Sequence, residues 1–449
     1  MDWTPPYEAR EDSYLLAKHI KEYAKDKNVL DMGTGSGVFA IEASKYAKNV
    51  TAVDINPKAI ALAKKNAVGI SNIKLNIQFK VSNLFTKIKP NEKFDLITFN
   101  PPYLPNAQND NDKDVALDGG KHGYELLGKF LNKVNNYLTT EGKILVIFSE
   151  LTKPEKVKEI IANNCLYYKE IDGVHVPFEE LYVWEIGKSE LLKKLENLRI
   201  ENITFFTKGK RGYLYKGKYK EMYKCKPEQV DKKIKCKDKK DRDKKKCKYN
   251  KCNDKNKYKQ VVIKTSNPKS KAFGRIENEI KFLKILEKYD IAPKIIYENE
   301  NFFVYEYIAG EFILNFIENN PKEKIIIVLK KIFKMMYLLD KLDINKEEMH
   351  HPVKHILINK TSKIGKTDKT TKKNNDNIDV KLVDFERASM TNNPKNVTQF
   401  CQFLIWKKMN DMLRKKGIKI EMKNVIELAQ KYKKRMNNEN FQKIIRIIK

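Results

Sequence analysis

Apolar residues in the first part of the chain fall in short runs bounded by polar and turn-forming residues, the pattern of strands buried on both faces. Asn28-Val29-Leu30-Asp31-Met32 predicts a buried parallel strand, Val38 to Ala47 has helical spacing, and Asn49 to Val53 predicts a second strand ending at Asp54. Phe94-Asp95-Leu96-Ile97-Thr98-Phe99 predicts another strand, which runs straight into Asn100-Pro101-Pro102-Tyr103. Further on the pattern changes. Residues 203–219 alternate apolar and polar around Lys208-Gly209-Lys210-Arg211-Gly212-Tyr213, predicting two strands joined by a glycine turn. Val261-Val262-Ile263-Lys264 predicts a strand ending in lysine, and a helix begins near Arg275 with Glu277 and Glu279 in its first turns. Val380-Lys381-Leu382-Val383 predicts a strand that ends at Asp384. The most apolar helix candidate, Lys324 to Leu342, is interrupted by Lys330, Lys331, Lys334 and Asp340, and is too charged to span a bilayer.

Charge divides the sequence in the same way. Residues 1–190 hold 25 Lys+Arg and 26 Asp+Glu; of the 90 basic and 58 acidic residues in all, this leaves 65 and 32 beyond residue 190. With 449 residues, two or three domains are expected. Two readings of the basic excess stand: a lysine-rich composition with solvated surface, or contact with nucleic acid or the ribosome through phosphate neutralisation. Two Lys-rich stretches with little apolar periodicity, about 220–259 and 360–378, are expected to be disordered insertions. The first holds Cys225, Cys236, Cys247 and Cys252, whose spacings match no familiar zinc pattern; they read as incidental thiols, with a metal knuckle as the rival reading. No apolar run follows a basic N-terminal stretch, so a cytoplasmic protein without a membrane segment is expected.

The chemistry lies in the loops. Gly33-Thr34-Gly35-Ser36-Gly37 follows a strand and opens a helix, a place where glycines admit a ligand to the backbone. Asp54, about twenty residues after the glycines, stands where an acidic side chain meets ribose hydroxyls. In Asn100-Pro101-Pro102-Tyr103 the prolines stiffen the turn. The carboxamide oxygen of the asparagine and a backbone carbonyl held beside it can accept both hydrogens of a planar NH₂, and the neighbouring ring can stack on it.

The order Asp-x-Gly-x-Gly-x-Gly followed by Asn-Pro-Pro-Tyr resembles the S-adenosylmethionine-dependent methyltransferases of planar nitrogens. Tyr7 to Leu16, Ser82-Asn83-Leu84-Phe85, Asp118-Gly119-Gly120 and Val176 to Trp184 narrow the resemblance to the short, HemK-like release-factor glutamine methyltransferases of archaea and eukaryotes. Asn83 stands where that family usually has Asp. The bacterial members carry a helical domain before the glycine loop, for which a loop starting at residue 33 leaves no room. The resemblance implies an α/β, Rossmann-like, seven-stranded domain over residues 1–190. It implies S-adenosylmethionine bound by Gly33, Gly35, Gly37, Asp31, Asp54 and Asn83, with Asp12 closing the cofactor pocket. It also implies Asn100, Pro101, Pro102 and Tyr103 as the catalytic set, a peptide release factor as substrate, and a small zinc-binding activator as partner.

Residues 200–449 resemble an α+β atypical protein kinase, near the RIO-like serine/threonine kinases of archaea. That likeness implies a glycine turn at Gly209 and Gly212. ATP phosphates would meet Lys264, paired with Glu279 or Glu277, and Mg²⁺ would sit on Asp384. The catalytic loop departs from the family. Aligned there, His350 takes the place of the catalytic Asp and His355 that of the metal-binding Asn, with Glu347 and Glu348 close by. Asp384-Phe385-Glu386 replaces Asp-Phe-Gly.

The function expected is methyl transfer to a glutamine side-chain nitrogen. Methylation of an exocyclic amine of RNA or DNA is a rival, since such enzymes share Asn-Pro-Pro-Tyr. A mainly regulatory ATP-binding protein is another.

Overall fold

The computed structural model describes residues 10–69, 76–105, 118–177, 179–208, 212–221, 258–266, 274–361 and 377–449. Tyr7, Glu8, Phe178, Gly209, the four clustered cysteines and nearly all of both Lys-rich insertions lie outside the described residues. The chain divides into two compact units, residues 1–205 and 206–449.

In the first unit the order is α1 (Glu11–Ala24), β1 (Asn28–Met32), α2 (Val38–Ser44), β2 (Asn49–Asp54), α3 (Pro57–Val68), β3 (Ile77–Val81) and β4 (Phe94–Phe99). There follow α4 (Glu125–Val134), β5 (Leu138–Ser149), α5 (Pro154–Asn163), β6 (Leu166–Val176), β7 (Glu179–Lys188) and α6 (Glu190–Asn197). The strands form one mixed sheet in the order β3-β2-β1-β4-β5-β7-β6. β1, β2, β3, β4 and β5 pair in parallel, whereas β7 runs antiparallel to both β5 and β6. This is the Rossmann-like α/β architecture. Parallel strands buried on both faces need near-continuous apolar runs, and in β4 only Asp95 is not fully buried. α1 presents Leu16, Ile20 and Ala24 at intervals of four, one face of a helix, to a core with Val29, Phe39 and Leu145.

The second unit opens with β8 (Ile200–Lys208), which carries the backbone across the division, then β9 (Gly212–Lys220), β10 (Tyr258–Ser266), α7 (Arg275–Leu286), β11 (Ile295–Glu298) and β12 (Phe302–Glu306). Its main sheet has the order β11-β12-β10-β9-β8. Gly212 is a strand residue whose missing side chain lets Thr265 O approach; a Cβ there would lie 2.5 Å from that oxygen. Then come β13 (Glu311–Phe312), α8 (Ile313–Asn319), α9 (Lys322–Lys341), β14 (Ile344–Asn345), β15 (Ile356–Thr361), β16 (Asn377–Leu382) and β17 (Ser389–Met390). Four helices come last: α10 (Asn396–Ile405), α11 (Lys407–Lys415), α12 (Met422–Lys434) and α13 (Asn438–Ile445).

α9 buries Ile325, Val328, Leu329, Ile332, Phe333 and Met336, the helical stripe that its sequence implied. Asp340, an interruption in that stripe by sequence, is buried and in use. It accepts the first N–H groups of α10, from Asn396 at 3.0 Å and Val397 at 3.3 Å, and the Tyr432 hydroxyl of α12 at 3.0 Å. Those N–H groups have no partner within their own helix. Among the described residues no helix is long and apolar enough to cross a membrane.

Candidate active site

In an open α/β sheet ligands sit beyond the carboxyl ends of the strands, and beside those of β1, β2 and β4 lies a cavity of about 1260 Å³. After β1 the backbone reverses through Gly33, Gly35 and Gly37, with φ of 65°, 52° and 92°, conformations that side chains resist. The Thr34 N–H donates to Val53 O at 2.9 Å and the Gly37 N–H to Thr34 O at 2.8 Å, which closes the turn. Asp54 accepts the Gly35 N–H at 2.9 Å and the Asn56 N–H at 2.8 Å, and burial raises its pKa above the usual carboxylate range. Gly33, Gly35, Asp54, Asn83 and Asp12 all line the cavity.

Asp31 and Gly37 do not. Expected among the cofactor contacts, Asp31 is fully buried behind the wall. It accepts Thr34 Oγ1 at 2.6 Å, Thr98 Oγ1 at 2.9 Å and the Ala40 N–H at 3.2 Å. Burial pushes its carboxyl up to about 7 in spite of those donors. Its role is to brace the glycine turn and the start of α2. Gly37 packs on α3, where a Cβ would lie 3.0 Å from Ala63 Cβ.

Asn100, Pro101, Pro102 and Tyr103 line the same cavity. Asn100 Nδ2 donates to Asp12 Oδ2 at 2.8 Å, a contact between residues 88 apart that the sequence did not suggest. The Asp118-Gly119-Gly120 stretch backs the motif. A Cβ on Gly119 would lie 2.8 Å from Pro102 O and 2.5 Å from Gly123 O, so this backbone approach requires glycine. The β6–β7 hairpin brings Val176, Glu179 and Leu181 to the wall. Glu179 Oε2 is buried and has no hydrogen-bond partner among the described residues.

A second constellation lies in the other unit. Lys264 Nζ, from β10, is 2.5 Å from Glu279 Oε2 of α7, 3.4 Å from Asp384 Oδ1 and 3.6 Å from Glu386 Oε2. Burial works against the lysine's charge, but Glu279 and Asp384 outweigh it and raise the ammonium pKa. Glu279 is the buried partner; Glu277 is exposed. Asp384 has φ of 64°, a strained backbone of the kind found at working sites. Burial alone would raise its pKa, yet Lys264 and Lys346 hold it below the usual range. Lys346, fully buried, donates to Asp384 O and lies over the Phe385 ring; burial lowers its pKa to about 8. Oxygens of Glu279, Asp384 and Glu386 lie within 4.8 Å of one another, a set that suits a hard divalent cation.

The two histidines part company. His355 Nε2 lies 2.9 Å from Glu348 Oε2, and the Arg387 guanidinium donates to the other oxygen of Glu348 at 3.0 Å. Burial lowers the His355 pKa, and the nearby Lys346 charge lowers it further. His350 is exposed, and among the described residues no hydrogen bond or ion pair joins it to this group. Lys346, Glu348 and Glu386 carried no signal beyond lying near the expected loop and strand end.

Residues 11–172 match the Methyltransferase small domain family. A protein of Methanocaldococcus jannaschii that carries the provisional name protein N5-glutamine methyltransferase is 42% identical over 184 residues, 39% of this chain and 89% of that one. The release factor glutamine methyltransferase of Koribacter versatilis is 34% identical over 128 residues, 26% of this chain and 45% of its own length. The match thus spans most of the archaeal relative and about half of the bacterial one. Among solved structures, the E. cuniculi Mtq2–Trm112 complex, responsible for methylation of the eRF1 termination factor, aligns with 25% identity and a TM-score of 0.34 over 42% of this chain and all of that one. With the glycine turn, Asp54 and Asn100 on one cavity wall and the archaeal relative matched over nearly its whole length, the chain belongs to the S-adenosylmethionine-dependent protein N5-glutamine methyltransferase family.

Proposed function

We propose that this protein methylates a glutamine side-chain nitrogen, in the Gly-Gly-Gln loop of a peptide release factor. The observation that carries the reading is that Asn100-Pro101-Pro102-Tyr103 shares one cavity with the glycine turn and Asp54. Bound there, S-adenosylmethionine supplies an electrophilic methyl group on a positively charged sulfur. Gly33 and Gly35 admit its methionine part, Asp54 takes the ribose hydroxyls and Asn83 faces the adenine. An amide nitrogen is a poor nucleophile because its lone pair is delocalised. Asn100 Oδ1 and the Pro101 carbonyl accept its two hydrogens and Tyr103 packs on the amide plane, so that the nitrogen is aligned for in-line attack. The N–C bond would form as the C–S bond breaks, with the electron pair left on sulfur and one N–H proton passed to water.

The test incubates the full-length protein with labelled cofactor and either release factor or total RNA, with and without a small zinc-binding activator, and locates the label by mass spectrometry. Label on the loop glutamine, lost in Asn100→Ala, is expected. Label in RNA alone would replace this reading with methylation of an exocyclic amine. A release-factor substrate implies work in the cytoplasm, and the basic second half suits a contact with the ribosome.

For the second unit we infer an ATP-binding, atypical kinase-like domain. The supporting observation is the Lys264–Glu279 pair beside Asp384. Lys264 would take phosphate oxygens, and Asp384 with Glu386 would hold Mg²⁺. Binding of labelled ATP that depends on Lys264 and on Mg²⁺ tests it.

A further inference from the structure

We propose that Asp12 is a positioning residue for methyl transfer, because it sets which way the Asn100 carboxamide faces. The inference rests on the reading of Asn100 as the acceptor of the target nitrogen's hydrogen. A carboxamide is nearly symmetric in shape but opposite in function at its two ends, since the oxygen only accepts and the nitrogen only donates. Turned one way, Asn100 offers an acceptor to the target NH₂. Turned the other way it opposes donor to donor, and the nitrogen is pushed out of line. Nothing in the Asn-Pro-Pro-Tyr turn itself chooses between the two.

Asp12 makes the choice. A carboxylate can only accept, so the Asn100 nitrogen must face Asp12 Oδ2 at 2.8 Å, and Oδ1 is left for the cavity. The carboxylate is itself fixed. It is 4% exposed, and Oδ1 accepts the Ser13 N–H at 2.6 Å and Ser13 Oγ at 3.3 Å. It stands in the first turn of α1, where unpaired N–H groups and the helix dipole favour negative charge. α1 in turn is anchored by Leu16, Ile20 and Ala24 in the core. The orientation of one catalytic amide is thereby inherited from a helix near the N-terminus. This departs from the expectation that Asp12 serves the cofactor.

The experiment measures single-turnover methyl transfer at saturating cofactor, using the full-length protein and whichever acceptor the wild type labels, release factor or RNA. If the glutamine reading fails, the role of Asp12 is still measured on the true acceptor. Cofactor affinity by calorimetry and thermal melting accompany each variant. Asp12→Ala should lower the rate thirtyfold or more while cofactor Kd changes less than threefold. Should Asp12→Ala melt early, Asp12→Asn, which keeps the shape, decides by the same criterion. Asn100→Asp sets carboxylate against carboxylate and should lower the rate at least a hundredfold. Combining Asp12→Asn with Asn100→Asp exchanges donor and acceptor, relieves the carboxylate pair while an acceptor still faces the cavity, and should recover at least tenfold over Asn100→Asp alone. A purely structural role would give no such recovery. Full activity of Asp12→Ala, a rate loss matched by a loss of cofactor affinity, or a folded exchange variant no faster than Asn100→Asp would each overturn the proposal.

Discussion

The backbone N–H of Gly35 donates to Asp54 Oδ2 at 2.9 Å, so the carboxylate that ends β2 is tied to the glycine turn that follows β1. On the proposed role of Asp54, Asp54→Ala removes the ribose contact, and it also frees the turn. The expected loss of cofactor binding is about 1.5–3 kcal/mol, the range for a hydrogen bond to a charged group. Calorimetry with S-adenosylmethionine checks it, and unchanged affinity would mean that the ribose does not meet this carboxylate.

Asp31 makes stability depend on pH in an unusual direction. Folding raises its carboxyl to about 7, whereas an unfolded Asp titrates near about 4. Between these values the folded state holds the extra proton, so Asp31 makes stability fall as pH rises through that window. Asp31→Asn abolishes this titration. Its melting temperature should therefore decline less than that of the wild type between about pH 4 and 7, and parallel curves would refute the shift.

The Lys264–Glu279 pair should be easy to break and cheap to replace whole. Lys264→Met leaves the Glu279 carboxylate buried without its partner, a change that costs about 3–5 kcal/mol in comparable pairs. Adding Glu279→Leu removes the orphaned charge and should recover most of the loss in a denaturant titration. If the double variant is less stable than the single one, Glu279 is held by its acceptance of the Phe385 N–H rather than by Lys264.

If the second unit transfers phosphate as its proposed kinase-like reading implies, the two histidines should differ in that chemistry. His350 is exposed, so His350→Ala should leave ATP affinity and autophosphorylation as they were. Glu348 sits between His355 and Arg387, and Glu348→Gln should slow phosphotransfer tenfold or more with ATP affinity retained. Radiolabelled ATP distinguishes the cases, and the reverse ranking would restore His350 as the base.

Much of the first unit was legible because its signals are local. Short apolar runs that end in Asp54 or Asn100 announce parallel strands, and glycines right after a strand announce a turn. The antiparallel place of β7 between β5 and β6 was not legible, since an apolar strand carries no mark of its direction. Nor was the Asp12–Asn100 contact, because 88 residues separate the pair. Asp31 was legible as part of a motif but not as a brace, because its burial depends on Thr98 from a strand far along the sequence. In the second unit the apolar runs before Lys264 and Asp384 marked β10 and β16, although β16 ends at Leu382, two residues short of Asp384, whereas the loop expected to carry His350 and His355 gave no such mark. Eleven residues, 346 to 356 counting Ile356, lead from β14 to the first residue of β15, and spacing alone cannot say which acid in that stretch turns inward.

The β6–β7 hairpin adds a last consequence. Residues expected to meet the cofactor come from the ends of β1 and β2 and the loop after β3, whereas Val176, Glu179 and Leu181 reach the cavity from a hairpin at the far edge of the sheet. On the proposed reading, the cofactor-binding turns and this hairpin are thus supplied by separate stretches of sequence that meet at one cavity. A chimera made by grafting the hairpin should then change acceptor selectivity while cofactor affinity stays as it was.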